Sequence, residues 1–88
     1  VCLPGGVGTL EELTEVLTLQ QLGNIDGPVG LVDVNGYWQP FTKMYSAMVQ
    51  EGFVQKRFLD ALVVNADPAE VLNEFASWVS PGSKWSNN

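Results

Sequence analysis

The 88-residue chain has no histidine and a single cysteine, Cys2. These shortages remove whole classes of chemistry. A zinc site of cysteine and histidine cannot form within the chain. An intramolecular disulfide is impossible. A Ser-His-Asp or Cys-His nucleophile would need a histidine from another chain. Basic residues are also scarce: four lysines and arginines stand against ten acids, for a net charge of −6. Nucleic acids and anionic membranes want a basic face, so neither is an expected partner. A small phosphate needs only a local site and stays open. No apolar run approaches the roughly 20 residues of a membrane-spanning helix. Nothing demands an oxidising compartment, so a cytoplasmic location is expected, with Cys2 a small core residue.

What is present is enough to fold. Hydrophobic residues make up 45% of the chain and charged residues 16%, which argues against disorder. Val1-Cys2-Leu3 reads as the last part of a strand. Leu10, Leu13, Val16, Leu17 and Leu19 recur at helical spacing from about Thr9, with Gly23 as the stop. Residues 29–34 form a nearly continuous apolar run, as in a strand buried on both faces, and Asn35-Gly36 breaks it. A second helix is predicted over about 40–51, with Phe41, Met44, Tyr45, Met48 and Val49 on one face. Residues 61–65 are the next strand. A third helix opens on Asp67, Pro68 and Glu70, a capping-box pattern. Val71, Leu72, Phe75, Trp78 and Val79 are its expected buried stripe, and Pro81-Gly82 its end.

Strand and helix alternate three times, which implies an α/β fold with a parallel sheet and right-handed crossovers. Three strands make a narrow sheet with open edges. The chain therefore reads as half of a doubly wound domain, with a partner expected to cover the open edges. Residues 81–88 are expected to be a disordered tail.

One segment carries chemistry. Pro4-Gly5-Gly6-Val7-Gly8-Thr9-Leu10-Glu11-Glu12 lies between the first strand and the first helix. Ligands of open α/β sheets bind beyond the carboxyl ends of the strands. Glycines let the backbone come close to a ligand, and a helix N-terminus attracts an anion. Two better-known glycine motifs fail. In the dinucleotide fingerprint Glu11 holds the third glycine's place, and the P-loop's Gly-Lys pair is absent. Glu12 has two readings. Thr9-x-x-Glu12 fits a capping box. The helical wheel instead sets Glu12 between Leu19 and Val16 on the apolar arc. An inward carboxylate there is costly without a task, and could act as an acid or a base. Leu10, Glu11 and Thr18 are further candidate contacts, although solvent exposure is the preferred reading for Glu11 and Thr18. Tyr37-Trp38 could border a base pocket, but packing of the second helix is the preferred reading. Asp33 reads as a turn residue accepting backbone N–H bonds. Lys43, Lys56 and Lys84 sit in no Schiff-base motif, and no cofactor or metal is expected.

The nine-residue segment resembles the P-G-G-x-G-T-x-x-E signature of the LONELY GUY (LOG) family, cytokinin riboside 5′-monophosphate phosphoribohydrolases often labelled lysine decarboxylases. Gln21-Leu22-Gly23, Pro28-Val29-Gly30-Leu31, Gly36-Tyr37-Trp38 and Glu51-Gly52-Phe53 extend the resemblance over about residues 1–80. It implies a Rossmann-like fold in which residues 1–80 are the C-terminal half of the domain, completed by a missing N-terminal half. It also implies hydrolysis of the N-glycosidic bond of an N6-modified adenosine monophosphate, giving the free base and ribose 5-phosphate. Gly5, Gly6, Val7, Gly8 and Thr9 would hold the 5′-phosphate, and Glu12 would be the catalytic carboxylate. A homodimer or larger assembly is implied. The family's catalytic arginine and adjacent lysine belong to its N-terminal half and have no counterpart here; Arg57 matches no such motif. The alternative is a non-catalytic nucleotide-phosphate binder of the same superfamily.

Overall fold

Backbone hydrogen bonds align three parallel segments. In the computed structural model, which describes residues 1–84, β1 (Gly30–Val32) pairs in parallel with β2 (Val63–Asn65). Gly30 stands opposite Val63 and Val32 opposite Asn65. On the other side of β1, Cys2 forms a parallel bridge to Leu31. The Cys2 N–H donates to the Gly30 carbonyl at 2.7 Å, and its carbonyl accepts from Val32 at 2.9 Å. The segment beginning the chain thus lies where the third strand of the sheet was expected, and the fold is α/β.

The apolar run around β1 is buried on both faces because layers cover both. Leu31 packs with Leu13 and Leu17 of α1 (Val7–Leu22) and with Tyr45 of α2 (Gln39–Gln50). Val32 packs on the opposite side with Val63 and with Val71 of α4 (Pro68–Ala76). Burying each such side chain contributes about 1.5–3 kcal/mol. The short α3 (Lys56–Asp60) adds a fully buried Phe58.

Local chemistry sets the ends of the helices. Gly23, left-handed at φ 80°, closes α1. Its N–H donates to Gln20 and that of Asn24 to Leu19, the paired bonds of a Schellman motif. Asp67 caps α4 by accepting from the Ala69 N–H at 2.9 Å. The reciprocal bond of the expected capping box comes from elsewhere: the Asp67 N–H donates to Asn65 Oδ1 at 3.0 Å, not to Glu70. Asp33, at the carboxyl end of β1, accepts from the Trp38 N–H at 2.7 Å and from the Gln39 amide at 2.5 Å. Asn35 and Gly36 are both left-handed, at φ 54° and 75°, which brings the chain round from Asp33 into α2.

Two expectations need correction. Helix α1 starts at Val7, not Thr9. Gly6 is its N-cap, so the Thr9–Glu12 capping box does not form. Helix α4 ends at Ala76, well before Pro81. The Trp78 indole N–H donates to the Ala61 carbonyl at 2.9 Å, and the chain leaves the helix to make that bond. Val79, beyond that end, is exposed, and so is Leu72 within the helix, where Val71 takes the buried face instead. Of the segment from 81 onward, the Lys84 N–H donates to the Gln21 carbonyl at 2.6 Å; residues 85–88 lie outside the described residues.

Gly30 marks the closest approach of helix and sheet. A Cβ there would stand 2.6 Å from Val71 Cγ1 and 2.8 Å from Phe75 Cζ. Gly30→Ala is expected to cost about 1–3 kcal/mol by overpacking. Gly27→Ala, where a Cβ meets nothing within 4 Å, should stay within about 0.5 kcal/mol. Urea unfolding of the intact protein checks both. Equal costs would contradict the packing.

Candidate functional site at the glycine loop

Helix α1 begins with no side-chain cap on Gly6. Its first intrahelical bond runs from the Leu10 N–H to the Gly6 carbonyl at 3.1 Å. The N–H groups before Leu10 have no carbonyl a turn earlier to meet, and the positive end of the helix lies with them. Gly5, Gly6, Val7, Gly8 and Thr9 all fall in this stretch.

The glycines differ in why they are glycine. A Cβ on Gly5 would fall onto the Thr9 side chain, so close packing requires glycine there. A Cβ on Gly6 or Gly8 would meet nothing within 4 Å, and neither residue has positive φ. Gly8 even lies inside the helix, where glycine is weaker than alanine by about 0.5–1 kcal/mol. Among the described residues nothing asks for glycine at either place. Both leave backbone uncovered at the helix N-terminus.

Glu12 stands one turn after Gly8 on the same face. Helical side chains lean toward the N-terminus, and the residue one turn before Glu12 has no side chain to stand in its way. The inward orientation read from the helical wheel is not found: Glu12 is exposed. Apolar residues ring α1. The face that is buried carries Leu13, Leu17 and Gln20; Val7, Leu10 and Val16 are exposed. Among the described residues Glu12 makes no hydrogen bond or ion pair. Its charge is felt at Cys2, whose thiol is pushed up mainly by burial and further by Glu12, with the Val1 ammonium opposing.

A cavity of about 600 Å³ opens beside the loop. Gly5, Gly6, Val7, Leu10, Tyr37 and Met44 are among its lining. Trp38 is 4% exposed and packs against Phe41, as expected, with ring centroids 6.2 Å apart. Its indole N–H is buried without an acceptor among the described residues. Tyr37 behaves otherwise than expected: it is 48% exposed and its hydroxyl donates to the Gly5 carbonyl. Sequence reasoning missed this contact, and no local signal announces a bond across 32 residues. Leu10 lines the cavity, while Glu11 is exposed. Thr18 lies elsewhere. Its hydroxyl donates to the Thr14 carbonyl at 2.9 Å, and it lines a separate cavity with Tyr45 and Phe53. No lysine lines the cavity at the loop.

This arrangement has known relatives. The model of the family described as possible lysine decarboxylase matches residues 1–75. A probable cytokinin riboside 5′-monophosphate phosphoribohydrolase of rice (Oryza sativa subsp. japonica) is 40% identical over 78 residues, covering 89% of this chain and 32% of that protein. The chain belongs to the LOG family. A cytokinin riboside 5′-monophosphate phosphoribohydrolase of Arabidopsis thaliana is 39% identical over 79 residues, 90% of this chain and 37% of the relative. A second rice protein of that name is 52% identical over 54 residues, 61% of this chain and 22% of its own. This LOG-family chain thus spans about a third of the length of the first relatives it matches. No helix among its described residues is long and apolar enough to cross a membrane.

The Cys2 shift has a testable sign. Burial favours the neutral thiol in the folded state. The stability this brings is complete below the unfolded thiol's pKa and is lost as pH rises through the raised folded value. Alkylation of Cys2 by iodoacetamide at pH 8 should be slower than that of free cysteine, accelerating on unfolding. An equal rate before and after unfolding would contradict it.

Proposed function

We propose that this LOG-family chain contributes the phosphate cradle and the carboxylate of a phosphoribohydrolase. The substrate would be a cytokinin riboside 5′-monophosphate, an N6-modified adenosine monophosphate. One observation carries the reading: among the described residues no packing and no positive φ requires Gly6 or Gly8 to be glycine, and Glu12 follows the second of them by one turn on the same helix face.

The 5′-phosphate sits against the unpaired N–H groups from Gly6 to Thr9, where the helix end favours negative charge. That grip fixes the ribose relative to Glu12. As the C1′–N9 bond breaks, its electron pair leaves with the base, which takes up a proton. The ribosyl carbon gains oxocarbenium character. The Glu12 carboxylate stabilises that charge or draws a proton from the attacking water, whose oxygen ends on C1′. The cavity walled by Leu10, Phe41 and Met44 offers apolar surface to the base. The remaining groups, including a cation, come from the rest of the domain or from a second copy. The exposed Val7, Leu10 and Val16 beside the loop suit a homodimer or larger assembly with the site near its interface. A cytoplasmic setting accords with the single half-buried thiol.

The test uses the intact protein with isopentenyladenosine monophosphate and its riboside, separating the products by chromatography. Free base should form from the monophosphate alone. Glu12→Gln should lower turnover at least about 100-fold while phosphate still binds. Hydrolysis undiminished by Glu12→Gln would sink the reading. Gly8→Ala separates function from fold. It should stabilise the protein by about 0.4–1 kcal/mol yet lose most turnover, because the new methyl stands between the cradle and Glu12. Unchanged turnover in Gly8→Ala would contradict the role of that opening.

A further inference from the structure

We infer that Tyr37 is a positioning residue that aims the phosphate-binding backbone, a role that rests on the reading above. The Tyr37 hydroxyl donates to the Gly5 carbonyl. A trans peptide points its carbonyl and N–H in opposite directions. Holding the Gly5 carbonyl against the phenol therefore fixes the Gly6 N–H on the side away from it. Gly5 and Gly6 have no side chains to restrict that peptide. The restriction comes from outside: Thr9 lies against Gly5 where a Cβ would be, and Tyr37 holds its carbonyl.

The latch is itself anchored. The Tyr37 ring meets the buried Trp38 edge to face, with centroids 5.3 Å apart and planes at 86°. The Trp38 backbone N–H donates to the Asp33 carboxylate at 2.7 Å. A line of fixed groups thus runs from the carboxyl end of β1 to the glycine loop. Tyr37 itself is 48% exposed, and Trp38 fills the core behind it. Removing the phenolic oxygen alone leaves that packing in place.

Tyr37→Phe in the intact protein tests the latch by three readouts: kcat and KM for the N6-modified monophosphate, inhibition or binding by inorganic phosphate, and the thermal midpoint. Losing one hydrogen bond that orders the cradle should raise KM and the phosphate constant about fivefold each. Turnover at saturation should stay within about twofold and the midpoint unchanged. KM and the phosphate constant both at wild-type values would overturn the inference, whatever the midpoint does. A fall in midpoint and kcat with KM unchanged would assign Tyr37 to the fold and also overturn it. If the wild type hydrolyses no monophosphate but Tyr37→Phe still weakens phosphate fivefold, the latch stands and the phosphoribohydrolase reading fails. If the wild type neither hydrolyses nor binds phosphate, both fail.

Discussion

An α-helix leaves its first N–H groups without intrahelical partners, and a protein must cover them, hydrate them or use them. Helix α1 has no side-chain cap at Gly6, and the two glycines that flank Val7 place no atoms over the opening. Every other feature of the candidate site takes its meaning from that gap. Glu12 matters because it lies one turn along the same face. Tyr37 matters because it turns the peptide leading in. The cavity beside the loop matters because Gly5, Gly6 and Val7 line it, so the base of the proposed nucleotide has room there.

The sheet supplies the rigidity this arrangement needs. Three parallel segments end at the same edge, held by the bonds of Cys2 to Gly30 and Val32 and by the register of β1 with β2. The glycine loop leaves the first segment and Asp33 leaves the second, so their turns are neighbours. Asp33 spends both carboxylate oxygens on the start of α2, which sets where Tyr37 and Trp38 fall. A charge-assisted bond to a backbone N–H is among the stronger ones available. The aromatic series Tyr37, Trp38, Phe41 and Tyr45, each ring within 6.2 Å of the next, carries that placement into the core under α1.

Legibility from sequence follows locality. The doubly buried strand was readable in the nearly continuous apolar run over residues 29–34, as a sheet covered on both faces favours. The Asp67 cap was readable because its acceptor and donor lie two residues apart. The orientation of Glu12 was not. Apolar residues ring α1, so a helical wheel has no single inward direction, and only tertiary packing selected the face of Leu13 and Leu17. The early start of α1 escaped because Thr9-x-x-Glu12 spells a capping box, a pattern that a lone glycine N-cap does not offer. The glycine loop itself stood out, but the reason behind each glycine did not. Gly5 is packing and Gly6 and Gly8 are openings, a distinction that requires knowing where Thr9 lies.

The central claim is that the helix opening at Gly6–Thr9 grips a nucleotide phosphate. It is tested most directly by amide NMR of the intact protein, with glycine and threonine labelled by ¹⁵N, during titration with adenosine monophosphate. The amides of Gly6, Gly8 and Thr9 should shift together and saturate, with inorganic phosphate moving the same signals. Shifts confined to Thr14 and Thr18 at the separate cavity, or none at the loop under saturating nucleotide, would contradict the account.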